Sequence, residues 1–346
     1  MPISFLQPSA VDSSYNGFMR NRIINGAMVI DQRNAGASVT AAASTQNFSV
    51  DRWFGLASQA SKYTIQQNAG GVTPPTGFKN YLGVTSSSAY SVTATDFFSV
   101  LQIIEGYNIA DFDWGTAGAK TITLSFWVRS SLTGTFGGVA SNQYTASGRY
   151  YPFTYTISAA NTWEQKTITI AGDVTGTWGS TNGNGIVLQF GLGVGSTYNS
   201  AAGSWTGTYT LGATGATSVV GTNGATFYIT GVQLEVGNTA TPFERRLYGQ
   251  ELALCQRYYE KSDGQNTSLF WSGNTTTANP YYFTVRYMVV KRANPTTTIS
   301  DISNSSFPNT ITVGQESTVG FRADATANLT ASGSYFRANW ASSAEL

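Results

Sequence analysis

Histidine is absent from the 346 residues, and cysteine occurs once, as Cys255. The first absence removes the usual general base and the commonest transition-metal ligand. Ser-His-Asp and Cys-His mechanisms are thereby excluded, and a His-ligated zinc site with them. A single cysteine permits no internal disulfide. Charge is scarce as well: Lys+Arg is 19, Asp+Glu is 18, and only 11% of residues are charged. No electrostatic case for binding nucleic acid or an acidic membrane follows from such a balance. No run reaches the roughly 18 consecutive apolar residues that span a bilayer. The opening MPISFLQPSAVDSSYNGFMRNR has no basic region followed by a long apolar stretch, so it does not read as a secretory signal.

What remains is polar, weakly charged and aromatic: 41% hydrophobic, 13% aromatic and 37 glycines. That is too apolar for disorder and suits short strands with many turns. Composition of an extracellular type without an export signal is expected of a chain that leaves the cell inside a larger particle. TITLSFWVRS (121–130) is the clearest strand, with Ile122, Leu124, Phe126 and Val128 on one face and Trp127 among the polar residues of the other. GIVLQFGLG (185–193) alternates likewise, placing Ile186, Leu188, Phe190 and Leu192 inward. Gly-, Ser- and Thr-rich stretches such as AGDVTGTWGSTNGNG separate these runs and carry turn chemistry. Many short strands divided in this way predict an antiparallel jelly-roll β-sandwich over residues 23–242.

In FYITGVQLEVGNTATPFERRLYGQELALCQRYYEK (227–261) the inward parity switches across Thr230-Gly231, and a bulge at Gly231 would return Phe227, Ile229, Val232, Leu234 and Val236 to one face. Thr241 as cap, Pro242 at the first helical position and a stripe of Tyr248, Leu252, Cys255 and Tyr259 then predict one linking helix over residues 243–262. Residues 263–346 return to strands and read as a small C-terminal β domain, in which Tyr282, Thr284 and Arg286 alternate with Tyr281, Phe283 and Val285. The fold class is therefore mostly β. Residues 1–22 carry Ile3, Phe5, Leu6 and Phe18 as apolar anchors between Pro2, Pro8 and Gly17, and read as an arm docked on a larger assembly.

NRIINGAMVIDQRNAGASV, FSVDRWFG, TLSFWVRSSLTGTF, TWEQKTITIAGD, FYITGVQLEVGNTATPFERR and ELALCQRYYEK, in that order, resemble a module of bacteriophage tail-fibre and other virion-appendage proteins, including those of cyanophages. The likeness covers roughly residues 20–262, and its β part is similar to jelly-roll modules that bind carbohydrate. It implies a short tail fibre or spike on the virion, a homotrimer, attachment to other virion proteins through the N-terminal arm, and recognition of host cell-surface glycans. A capsid decoration or connector without receptor activity, and a polysaccharide depolymerase, are the alternatives. The second needs two carboxylates about 5–10 Å apart, and nothing in the spacing of Asp51, Asp96, Glu105, Asp111, Asp113, Asp173 and Glu235 nominates a pair. No enzymatic activity is therefore expected, nor any cofactor. A structural Ca2+, which jelly-roll carbohydrate modules often carry, needs about 6–8 oxygen ligands. The densest acidic stretch, ADFDWG (110–115), lacks calcium-loop spacing and reads as a solvated turn.

Sugar binding requires aromatic platforms flanked by amide and guanidinium groups. Trp127 is the candidate on a strand. Trp178, Trp205, Tyr198 and Tyr209 sit in the long Gly/Ser/Thr loops, and Arg149 and Tyr150 in another aromatic loop. Trp53 and Trp163 fall inside strand patterns and read as core, and GLGVG (191–195) reads as a turn.

Overall fold

A computed structural model describes residues 19–144, 148–262, 269–308 and 310–346. The anchors Ile3, Phe5, Leu6 and Phe18 lie outside the described residues. The described residues divide into two compact units: those within 19–29, 36–49 and 53–245 form the first, and those within 30–35, 50–52 and 246–346 the second.

The first unit contains β1 (Val39–Thr40), β2 (Asn47–Phe48), β3 (Phe54–Ala57), β4 (Tyr63–Gln67), β5 (Leu82–Ser86), β6 (Phe97–Glu105), β7 (Ile122–Ser130), β8 (Gly134–Ser141), β9 (Tyr150–Ile157), β10 (Glu164–Ile170), β11 (Asn184–Val194), β12 (Asn199–Ser200), β13 (Gly212–Ala213) and β14 (Thr226–Val236). Two six-stranded antiparallel sheets result, in the orders β1-β4-β5-β14-β7-β10 and β2-β3-β6-β11-β8-β9. Successive strands pass from one sheet to the other, as β6, β7 and β8 do, and the architecture is a jelly-roll β-sandwich.

The period-2 pattern explains why these strands sandwich. Ile122, Leu124, Phe126 and Val128 of β7 and Ile186, Leu188, Phe190 and Leu192 of β11 are all fully buried. Phe126 meets Phe190 across the sheets edge to face, ring centroids 5.1 Å apart, and Phe136 stacks on Phe227 at 6.2 Å. β14 enters the same core through a bulge. Its register against β7 slips between Thr230 and Gln233, Gly231 takes φ +61°, and Phe227, Ile229, Val232 and Leu234 are all at 0% exposure, whereas Val236, expected with them, is 40% exposed because it ends the strand at the sheet's margin. Trp53 is core, as its strand pattern predicts. Two local readings differ. GLGVG is not a turn: Gly191 to Val194 continue β11, with a register shift between Gly191 and Gly193 absorbing the glycines. Trp163 is only half-buried, on the outer face, where it packs edge to face on Tyr81 and donates to the Thr73 carbonyl.

The second sheet is covered on its outside by chain rather than solvent. Gln102 holds Ile24 by both its amide groups, and Gln189 donates to the Leu211 carbonyl at 2.9 Å. Residues 20–22 run along β14: the Arg20 and Asn21 amides donate to the Glu244 carboxylate, and the Arg22 amide donates to the Leu234 carbonyl.

The segment after β14 corrects the expected helix, which is α1 (Tyr248–Gln256) and not residues 243–262. Thr241 does not cap it. Its amide and hydroxyl both donate to Glu235, and the Glu244 amide donates to Gln233. These side chains on the outer face of β14 hold residues 241–244 in a non-helical path. Leu247 takes the cap position, its amide bonded by the Gln250 side chain. Tyr248 is 65% exposed, so only Cys255 and its neighbours form the packed face.

In the second unit follow β15 (Tyr259–Lys261), β16 (Leu269–Thr275), β17 (Pro280–Arg286), β18 (Thr296–Ser305), β19 (Thr312–Ser317), β20 (Gly320–Thr326) and β21 (Ala331–Ser343). β21 pairs with β15, β16 and β18, while β17-β20-β19 form a second sheet. Leu269, Val285, Phe307, Phe321, Phe336 and Trp340 belong to one buried core. The two short segments 30–35 and 50–52 contribute Arg33 and Arg52, whose guanidiniums both bind the Glu345 carboxylate and lie over the rings of Tyr259 and Tyr258 at 3.7 and 3.5 Å.

Candidate functional site

Four loops at one end of the jelly roll bring together side chains remote in sequence. Trp114 comes from the β6–β7 connection, Asn142 and Arg149 from β8–β9, Asp173, Trp178 and the stretch up to Asn184 from β10–β11, and Trp205 from β12–β13. Their centre is a knot of three indoles. Trp114 meets Trp178 at 4.5 Å and Trp205 at 5.2 Å, and Trp178 meets Trp205 at 5.4 Å, all edge to face. Tyr151 closes on Trp205 at 5.2 Å. Each indole N–H has an acceptor: Lys120 carbonyl for Trp114, Ala171 carbonyl for Trp205, and Asp173 with the Thr175 carbonyl for Trp178. Satisfied donors and edge-to-face packing fix the rings without a ligand. Trp114 is buried, whereas Trp178 and Trp205 remain half-exposed.

Beside the knot, Arg149 makes a two-pronged ion pair with Asp173, Nε to Oδ2 at 2.7 Å and Nη2 to Oδ1 at 2.8 Å. Burial pushes the Asp173 carboxyl up, but the Arg149 and Thr175 hydrogen bonds outweigh it and hold it below the usual carboxylate range. Asn142 accepts the Arg149 amide and donates to the Thr177 carbonyl. An open cleft of about 630 Å3 lies here, lined by Asn142, Gln143, Arg149, Thr177, Asn184 and backbone glycines. Amides, a hydroxyl and a charge-paired guanidinium line this cleft and can hydrogen-bond neutral groups, while Trp178 lies beside it, sharing Asp173 with Arg149 as hydrogen-bond acceptor.

Three of the residues named from sequence, Arg149, Trp178 and Trp205, thus meet. Tyr150, Tyr198 and Tyr209 form a separate row: Tyr209 lies 5.7 Å from Tyr150 and 5.2 Å from Tyr198. Tyr150 is fully buried on β9, so it is a packing residue and not a loop contact. Burial raises the phenols of Tyr150 and Tyr209. Trp127 lies elsewhere, half-buried on the outer face of the first sheet, with its Cδ1 3.2 Å from where a side chain on Gly231 would begin. Trp114, Asn142 and Asn184 were not among the sequence candidates. ADFDWG, which the calcium question had singled out, supplies Trp114. Its acids are ion-paired, Asp111 with Arg22 at 2.8 Å and Asp113 with Lys120 at 3.3 Å. Among the described residues no three acid or thiol side chains converge as a metal site.

No protein-family model and no curated protein matches the chain. Solved structures with a similar arrangement include the enzymatically active domain of tailspike protein 4 from bacteriophage CBA120, at 12% identity over 63% of this chain and 22% of that one, with a TM-score of 0.33. A family 4 carbohydrate-binding module is similar at 15% identity over 62% and 98% of the chains, TM-score 0.34. The family 11 carbohydrate-binding module from Clostridium thermocellum, described in complex with a mixed-linked tetrasaccharide, is similar at 10% identity over 60% and 100%, TM-score 0.30. This chain spans 22% of the tailspike chain, well under two thirds of its length.

Proposed function

We propose that the chain is a non-enzymatic, glycan-binding component of a virion appendage, a short tail fibre or spike that recognises host-surface saccharides. The observation that carries glycan binding is the polar cleft lined by Arg149, Asn142, Thr177 and Asn184, with the half-exposed Trp178 held beside it through Asp173, which also binds Arg149. Asp173 neutralises the guanidinium, so the ligand class is neutral saccharide. A single open cleft of this kind binds weakly, and avidity in a homotrimer raises the effective affinity. The placement on a virion rests on the resemblance of the ordered motifs to those of tail-fibre proteins and on a composition rich in hydroxyl and amide side chains. The non-enzymatic reading is supported by the partners of the acids: Asp96, Asp173 and Glu235 each accept hydrogen bonds from the chain within six residues of them.

A glycan array probed with the full chain tests the binding. Hits are expected among neutral glycans, weakened at least tenfold by Trp178→Ala and by Thr177→Arg, which fills the cleft from an exposed position. An array without hits, or variants that bind as the unaltered chain does, would overturn it. An antibody against the chain should decorate intact particles; its failure to do so removes the virion placement.

A further inference from the structure

On the outer face of the β17-β20-β19 sheet one charge is left without a counter-ion. Strand alternation puts Tyr282, Thr284 and Arg286 of β17 on that face, together with Arg322 and Asp324 of β20 and Ser317 of β19. Arg286 and Ser317 are both register partners of Gly320. Neighbouring strands lie about 4.8 Å apart, so Arg286 and Ser317 stand roughly 10 Å from each other across a floor without a side chain. The floor is bare of necessity, because a Cβ on Gly320 would collide with the Val285 carbonyl. An open cleft of about 260 Å3 lies there, lined among others by Thr284, Arg286, Gln315, Ser317, Gly320 and Arg322.

The acids near this cleft are turned away or engaged. Glu316 is the register partner of the core residue Phe321, so its side chain stands on the inner face of the sheet, where its charge acts on the buried Tyr287. Asp324 accepts a two-pronged bond from Arg322, at 2.7 and 2.8 Å, and occupies the space that a side chain on Gly314 would need. The Arg322 guanidinium lies 4.3 Å from the Tyr282 ring centre, so its charge is both paired and directed along the sheet away from Gly320. Arg286 differs: it is exposed, and among the described residues no side-chain hydrogen bond or ion pair holds it. Thr284 and Gln315 are exposed beside it and likewise make no side-chain hydrogen bond. The cleft therefore presents one surplus positive charge next to a hydroxyl and an amide. A guanidinium binds a planar carboxylate through two parallel N–H···O bonds, and one surplus charge matches one carboxylate. The neutral groups suit hydroxyls around that carboxylate, which is the pattern of an acidic sugar.

We propose that this face binds an acidic saccharide, with the carboxylate of a uronate unit held by Arg286 over Gly320 and its hydroxyls taken by Thr284 and Gln315. The sugar character of the ligand rests on the reading of the chain as a glycan binder; the carboxylate does not, and the Trp178 cleft takes no part. The full chain is titrated calorimetrically with trigalacturonate and trimannuronate, with their methyl esters, which keep the sugars and remove the charge, and with inorganic phosphate. At least one acid is expected to bind tenfold or more tighter than its ester and than phosphate. Arg286→Ala should weaken that binding at least tenfold, and Arg286→Lys, which keeps the charge but loses the planar fork, at least threefold. Arg337→Ala, which removes another exposed guanidinium without an ion pair from the other sheet of the unit, should leave it within twofold. Binding of neither acid, an ester that binds as well as its acid, or an Arg286→Ala chain that binds as the unaltered one does overturns the proposal. So does phosphate as tight as the acids, which would make the face a bare anion site, and so does an equal loss in Arg337→Ala, which would make the binding a general attraction of charge. Neutral glycans on the array report on the Trp178 cleft, so either reading can fail without the other.

Discussion

A single residue can fix a whole loop, as Asp96 does for the β5–β6 connection. Asp96 accepts hydrogen bonds from the Thr93 amide and hydroxyl, the Tyr90 phenol and the Ser58 hydroxyl, all at 2.7–2.9 Å. Burial pushes its carboxyl up, but these bonds outweigh burial and hold it well below the ordinary value of 3.8. A depressed folded value contributes stability that is complete above the unfolded value and is lost as pH falls through and below it. Asp96→Asn is expected to lower stability at neutral pH by about 2 kcal/mol and to flatten the loss of stability in acid. Urea unfolding at neutral pH and near pH 3 checks both, and an acid dependence as steep as that of the parent chain would refute the assignment. Part of the Trp178 site was legible at this scale. Trp178, Trp205 and Arg149 stand out because aromatic and guanidinium groups among Gly, Ser and Thr have no local packing role. Trp114 and Asp173 were not, because their partners lie on other loops and only the fold brings them together. Tyr150 misled for the opposite reason: turn-forming neighbours disguised the first residue of a buried strand.

At the level of elements, β14 shows when a local pattern is decisive. The inward parity flips across one glycine, and only a bulge there can keep four large apolar side chains in the same core. Gly231 has φ +61°, and a Cβ would approach the Phe78 ring at 2.6 Å. Gly231→Val adds strain in the left-handed region to that overlap and should cost about 3 kcal/mol. Loss of less than about 1 kcal/mol in denaturant unfolding would mean that the bulge relocates. The helix shows the reverse. Thr241-Pro242 is a sound start signal in isolation, yet Glu235 and Gln233 take the Thr241 and Glu244 groups before a helix can use them. Side chains projecting from a strand several residues earlier leave no periodic trace, so the true start at Tyr248 could not be read from spacing.

Across the whole molecule, the second unit is discontinuous in sequence: two short segments from among the jelly-roll strands join residues 246–346. Arg52 and Glu345 are nearly inaccessible, at 2% and 5% side-chain exposure. Breaking such a buried pair from one side costs about 3–5 kcal/mol. Glu345→Ala is therefore expected to destabilise the second unit by that amount, and a fragment of residues 246–346, which lacks both arginines, should show poor dispersion in its proton NMR spectrum. A well-dispersed fragment spectrum would refute this dependence. Genes of mosaic ancestry face the same constraint in another form. Any recombinant joined between residues 53 and 245 takes the arginines from one parent and their carboxylate from the other. Exchange of a C-terminal half then yields a folded product only between parents that agree at both ends of the chain, however well the new strands match the old sheets.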